Sequence, residues 1–336
     1  MRKDRITILF LGIAHALDHS FLSALPPVLL LVVNDLGTSL GEVGYAATFA
    51  YLLFGAGALV GGPLSDRIGE GKVVFISLAL SGVSTLILLV DHGFAGFLAA
   101  LVLMSTWSSF YHPTANSLIS KVYHGEVGRV MAIHGVGGSI GQVFVPSLAV
   151  FLAITVGWRF SFVFFGILAT VTSIYFIQLP LMKKHETRTK PKELLILRDS
   201  RFWALFAYNI MIGLYFRGTE LFLPAYLTKV RGLSIEISGI AVSLLMAFGV
   251  LGQFLGGIGT DRIGGANALL IESAVVAVGF ACLQLESLTA AVTFLVLFGL
   301  AFYATQPTTN ALTAEITLLD QRGLVYGVMF FLVFGL

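Results

Sequence analysis

His15, Asp18 and His19 stand at i, i+3 and i+4 within an apolar stretch, which places a carboxyl and two imidazoles on one face of a helix. A carboxyl beside imidazoles can take up a proton and pass it on near neutral pH. The stretch begins near Ile6, so at about 1.5 Å per residue Asp18 lies about 18 Å along it. In a membrane-spanning helix that is the midplane, where a charge costs about 2.5–3.5 kcal/mol or more and must face a cavity or a partner. The residues fit proton coupling, and they fit equally a fixed Asp–His pair that only ties helices together. His15 and His19 also have the spacing of two metal ligands, but no further ligand set is evident, and neither a metal nor another cofactor is expected.

Arg217 and Glu220 make a second constellation, again inside an apolar stretch. At an offset of 198, which aligns Pro26 with Pro224, His19 corresponds to Arg217. Arg217 is the only Lys or Arg expected inside a span, and a guanidinium can bind a carboxylate or phosphate through two parallel hydrogen bonds. It is therefore the first choice for contact with an anionic substrate, with Glu220 beside it. An internal pair with Glu220 or Asp18 is the alternative, and a substrate could compete for the same guanidinium.

A third set repeats within the chain. His112-Pro113-Thr114-Ala115-Asn116 matches Gln306-Pro307-Thr308-Thr309-Asn310 at an offset of 194. Proline within a helix frees a carbonyl and bends the chain, so paired bends are expected. Tyr111, His112, Asn116, Gln306 and Asn310, with His134 and Gln142, are candidate cavity polars, or hydrogen bonds between helices. Glu272 is expected at the periphery.

The elements that would carry these residues follow from composition. Charged residues make up 11% of 336, the mean hydropathy is +0.92 and the single cysteine is Cys282. Soluble domains carry about 25% charged residues, so a membrane protein is expected. Apolar runs of spanning length occur near 6–33, 42–63, 72–90, 95–119, 129–152, 158–182, 201–227, 237–259, 266–285 and 289–316, and another opens near 322. The first is too long for a signal peptide and lacks a cleavage site. Of the 20 Lys and Arg, sixteen fall on the side of the N-terminus and the middle loop, and only Arg159, Lys229 and Arg231 on the other. The positive-inside rule then puts the N-terminus in the cytoplasm of a multi-pass protein of a prokaryotic inner membrane. Glycine-rich runs at 55–61 and 135–141 follow no strand and lie within spans, where they permit close helix contact. No Walker-type loop occurs, so ATP-driven transport has no support, and neither does nucleic-acid binding or catalysis.

The segment Gly61-Gly62-Pro63-Leu64-Ser65-Asp66-Arg67-Ile68-Gly69 returns 195 residues later as Gly256-Gly257-Ile258-Gly259-Thr260-Asp261-Arg262-Ile263-Gly264. A repeat at this offset indicates two homologous halves. Repeat, spans and the Gly-x-x-x-Asp-Arg-x-Gly loops resemble the major facilitator superfamily of secondary transporters, departing at Glu70-Gly71, where that pattern prefers basic residues. Within it the chain resembles the fosmidomycin-resistance-like group through His15 to His19 with Pro26-Pro27, Ser109 to Pro113, His134 to Gly138 and Tyr215 to Gly218. Val145 before Pro146 departs from the Gly-Pro of drug antiporters.

The resemblance implies an all-α, polytopic major facilitator fold of two pseudo-symmetric six-helix halves. The N-terminal half would occupy 1–182, a cytoplasmic linker 183–200 and the C-terminal half 201–336, stopping within the eleventh helix. It also implies a cytoplasmic gate: Asp66 with Arg67 against the start of the eleventh helix near Arg322-Gly323, and Asp261 with Arg262 against the fifth near Gly128-Arg129. The function expected is proton-coupled efflux of a small organic molecule, anionic or a drug, by a monomer working by alternating access in the lipid bilayer. An importer of a small organic acid fits the same residues, and a nontransporting sensor or scaffold is the alternative of another class.

Overall fold

The computed structural model describes residues 2–123, 125–179, 195–318 and 322–335. Among them every regular element is helical. The first span is two helices, α1 (Arg2–Ser23) and α2 (Leu25–Leu36), because Pro26 and Pro27 supply no N–H donors and suit only a helix's first turn. The second is α3 (Leu40–Ile68), opened by a capping box in which Glu42 N–H donates to Ser39 Oγ at 3.2 Å and Ser39 N–H to Glu42 Oε2 at 2.8 Å. The third comprises α4 (Glu70–Ser84) and α5 (Ile87–Val90), and the fourth α6 (Phe94–Ser108) and α7 (Tyr111–Val122). Then come α8 (Val127–Val156), α9 (Trp158–Ile177), α10 (Ser200–Lys229), α11 (Ile235–Ile263), α12 (Gly265–Leu283), α13 (Leu288–Ile316) and α14 (Arg322–Gly335).

Nine segments of the described chain are long and apolar enough to cross a membrane. Helix α10 is long enough but carries Arg201, Arg217, Glu220 and Lys229. Large apolar side chains such as Leu9, Tyr45, Phe144, Phe151 and Phe254 lie exposed on the outside, an arrangement that lipid tolerates and water does not. Most of the 183–200 stretch falls outside the described residues.

The repeat is visible in the backbone. Gly69 (φ 96°) joins α3 to α4, and Gly264 (φ 82°) joins α11 to α12, each in a region that side chains disfavour. Gly61 lies against the backbone of Phe110, and Gly256 against that of Ala304, where a Cβ would collide. The second span is thus pressed onto the fourth, and the eighth onto the tenth, through glycine at the same point of the repeat.

The interruptions at the prolines do not repeat. The fourth span breaks at Ser109-Phe110, ahead of Pro113, whereas α13 runs through Pro307; likewise the first span breaks before Pro26 while α10 runs through Pro224. A proline alone permits a break, and tertiary contacts decide whether it occurs. Because the Gly256 contact is backbone on backbone, Gly256→Val should destabilise the protein by about 1–3 kcal/mol, read as a lowered melting temperature in detergent.

Candidate functional site

Asp18 is 1% exposed. Its Oδ1 accepts a hydrogen bond from Ser108 Oγ at 2.5 Å, and its Oδ2 lies 3.3 Å from His112 Nε2 without an aligned hydrogen bond. Both neighbours come from the fourth span. Ser108 and His112 are four residues apart, and because Ser109 and Phe110 between them keep helical dihedrals, both side chains face the same carboxyl.

The imidazoles are ordered by backbone carbonyls. His15 Nδ1 lies 2.8 Å from the carbonyl oxygen of His134, and His134 Nδ1 lies 3.2 Å from that of Leu11. A carbonyl only accepts, so each Nδ1 carries the proton and, in the neutral ring, each Nε2 carries a lone pair. His19 Nε2–H then donates to His15 Nε2 at 3.1 Å. The rings of His15 and His134 stack at 4.1 Å. Gly138 makes room for them, since a Cβ there would lie 2.5 Å from His15 Cε1. Gly137 and Gly141 pass directly over Gly12 and Ala16, as their spacing suggests.

Across from this cluster, Arg217 on α10 is 7% exposed. It donates to Glu220 Oε2 at 2.5 Å and to the carbonyl of Phe334 at 2.8 Å, and its guanidinium lies 4.3 Å from the centre of the Tyr51 ring. Its Nε–H is buried and makes no hydrogen bond within the protein.

A cavity of about 670 Å³ joins the two constellations. Its wall includes His15, His19, His112, Asn116, His134, Gln142, Arg217, Glu220, Gln306 and Asn310. Asp18 sits behind the wall, next to His112. Tyr111 is fully buried, its hydroxyl donating to the Leu11 carbonyl at 2.9 Å, so it braces α1 instead of lining the cavity. Sequence reasoning missed Asn209, Gln253 and Tyr326, which are also on the wall. None of them belongs to a repeated or regularly spaced polar set, so no spacing marks which way it points.

The first and second halves of the chain touch along α3 and α14, where Gly55 meets Gly335 and Phe54 meets Phe330, and again between α8 and α11. There Ser147 Oγ lies 2.8 Å from Ser243 Oγ, and Gly239 packs against Val150. From the midplane the wall continues through Asn116, Met131 and Thr313 toward the opposite end, where Asp66, Lys121, Arg129 and Arg262 lie.

Among the described residues the loop acids and bases pair as follows. Lys121 Nζ lies 3.0 Å from Asp66 Oδ1 and 2.5 Å from Glu70 Oε1, which also accepts from Ser117 Oγ at 3.2 Å. Glu70, where a basic residue was expected, is thus a buried acid whose cation comes from α7. Arg67, Asp261 and Arg262 are exposed, and Arg129 pairs with Glu126 at 3.5 Å. The side chains at the start of α14, the expected partner of Asp66, lie outside the described residues. Glu272 lies off the cavity wall, as expected, yet it is buried: it is 8% exposed and accepts from Thr308 Oγ1 at 2.8 Å.

The family model described as Major Facilitator Superfamily matches residues 8–336. A probable L-galactonate transporter of Escherichia coli (strain K12) is 22% identical over 326 residues, covering 89% of this chain and 71% of its own length. A hexuronate transporter of Bacillus subtilis (strain 168) is 23% identical over 365 aligned positions, covering 98% and 85%. Among solved structures, a bacterial homologue of the human lysosomal transporter Spinster, inward-facing and occupied, superposes with a TM-score of 0.82 at 18% identity, covering 98% of this chain and 78% of its own.

Lys121 is the only cation paired with Glu70 among the described contacts. Lys121→Met should therefore cost about 3–5 kcal/mol of stability by leaving a buried carboxylate unpaired. Thermal unfolding in detergent checks this, with Lys121→Met/Glu70→Gln recovering much of the loss.

Proposed function

The chain belongs to the Major Facilitator Superfamily, and from that membership we propose that it is a proton-coupled carrier of a small organic anion. One observation carries the reading: a buried guanidinium with an unused N–H and a cluster of imidazoles around a buried carboxyl face one cavity from opposite halves of the chain. A site at the interface of two repeats, near the midplane, is what alternating access requires.

In this reading Arg217 is the anchor. With no substrate Glu220 holds the guanidinium; an incoming carboxylate takes the free Nε–H and competes for the N–H that Glu220 occupies. Gln142, Gln306, Asn116 and Asn310 supply neutral hydrogen bonds for hydroxyls, as a polyhydroxy acid needs. Coupling runs through Asp18, which exchanges its proton with the cavity by way of His112 and His19. The halves, 1–182 and 201–336 joined by 183–200, rock about the site, and the present arrangement opens toward the Lys/Arg-rich, cytoplasmic side.

Support for an organic acid comes from Arg217 and from the relatives, whose names are those of carriers of galactonate and hexuronate. Export of a drug rests on the resemblance to the fosmidomycin-resistance-like group. The protein is placed in a prokaryotic inner membrane, acting as a monomer.

The test is reconstitution into liposomes holding a pH-sensitive dye, with galactonate, glucuronate and fosmidomycin added singly to either side. A sugar acid should drive saturable proton movement. Arg217→Ala should lower its uptake rate at least about 30-fold, the scale for removing a buried charged partner. Asp18→Asn should abolish the proton signal. Anion flux indifferent to Arg217→Ala would overturn the assignment of the anchor, and proton-coupled movement of fosmidomycin alone would replace the sugar acid with a drug.

A further inference from the structure

His15, His19 and His112 each offer a ring nitrogen, and these nitrogens lie within 4.8 Å of one another. Two come from α1, where the i, i+4 spacing made them visible; the third arrives from α7, 93 residues further on. We propose that these three histidines form a binding site for a borderline divalent transition ion of the Zn²⁺ type, held at the wall of the central cavity.

Four features of the cluster carry this. The His15 and His19 Nε2 atoms are 3.1 Å apart and share one proton. A tetrahedral ion with ligands at about 2.0–2.1 Å separates neighbouring nitrogens by about 3.3 Å, so an ion can replace the shared proton with almost no movement of these rings. His112 closes the remaining gap by side-chain rotation.

The tautomer is already set on His15. Its Nδ1–H is committed to the His134 carbonyl at 2.8 Å, which presents Nε2 as a lone pair and fixes the plane of the ring. Metal-bound histidines are held in this way, by an N–H given to a carbonyl or carboxylate behind them. Gly138 keeps the ring from being displaced, since any Cβ there would meet it.

A carboxyl stands behind the ligands. Asp18 Oδ2 makes no hydrogen bond within the protein and lies 3.3 Å from His112 Nε2. A divalent cation bound beside it would favour its ionised form, so it can balance the charge without being one of the three ligands. The ligand chemistry also selects: neutral imidazole suits zinc, copper, nickel and iron, while calcium and magnesium want oxygen.

The fourth position faces the cavity, since all three histidines are on its wall. The ion would therefore be reached from the transport path and would face the side on which Arg217 lies. This proposal concerns binding alone and stands whether or not the protein carries an organic acid.

The experiment is titration of the full, purified chain in detergent, without an oligohistidine tag, using Zn²⁺ by calorimetry and Co²⁺ by visible absorption. One ion per chain is expected, with the intense visible bands of nitrogen-bound, low-coordinate Co²⁺. His15→Ala, His19→Ala and His112→Ala should each weaken Zn²⁺ binding at least about tenfold, while His92→Ala, which lies outside the cluster, should not change it. His19→Gln and His112→Asn, checked for a single monodisperse species, stand in wherever an alanine variant aggregates. Failure of the wild-type chain to bind one saturable ion overturns the proposal, as does binding unchanged in the His19 and His112 variants. Neither result bears on liposome flux, so the carrier reading stands or falls separately.

Discussion

An ionised group inside a bilayer must find a partner or a cavity, and the structure is organised around that requirement. Asp18 is enclosed by Ser108 and His112, and Arg217 by Glu220, a carbonyl and the face of Tyr51. Lys121 satisfies Asp66 and Glu70 together. Each solution draws on a different span, so the cost of burying charge becomes a force that ties helices in a particular register. Helix packing in lipid lacks the hydrophobic drive available in water, which makes such polar ties and close glycine contacts matter more.

The glycines do the complementary work. Where Gly61 meets Phe110 and Gly256 meets Ala304, backbones approach without intervening side chains. Where Gly138 faces His15, the missing side chain is filled by an imidazole. The same residue type therefore packs each half and shapes the site. The halves are not copies: the fourth span is interrupted at Ser109-Phe110, while the tenth continues through Pro307. The cavity is built with imidazoles from one half and a guanidinium from the other.

Much of this was legible in the sequence, and the exceptions have causes. Apolar length located the spans to within a few residues, because membrane thickness leaves little freedom. The repeat located the paired glycines, because positive φ and backbone contact admit few other residues. The i, i+4 spacing found His15 and His19 but could not find His112 as their companion, since that contact depends on how two helices distant in sequence pack. Tyr111 was read as a cavity residue because it adjoins His112, yet on a helix adjacent residues point about 100° apart, and it braces α1 instead. The partners of Glu70 and Glu272 were not legible either. They are Lys121 and Thr308, 51 and 36 residues away, and no local pattern announces them.

The central claim is that the polar wall between the halves is a single compartment, reached by solvent from the Lys/Arg-rich end and occupied by the carried anion. Its most direct test is thiol accessibility. With Cys282 replaced by serine, a cysteine at Asn116 on the wall is compared with one at Leu9, which is 60% exposed on the outer face. The account predicts that the Asn116 position reacts with a membrane-impermeant thiol reagent applied to the Lys/Arg-rich side, is shielded by a transported sugar acid, and far outpaces Leu9. An Asn116 position as inert as Leu9, from either side of the membrane, would contradict it.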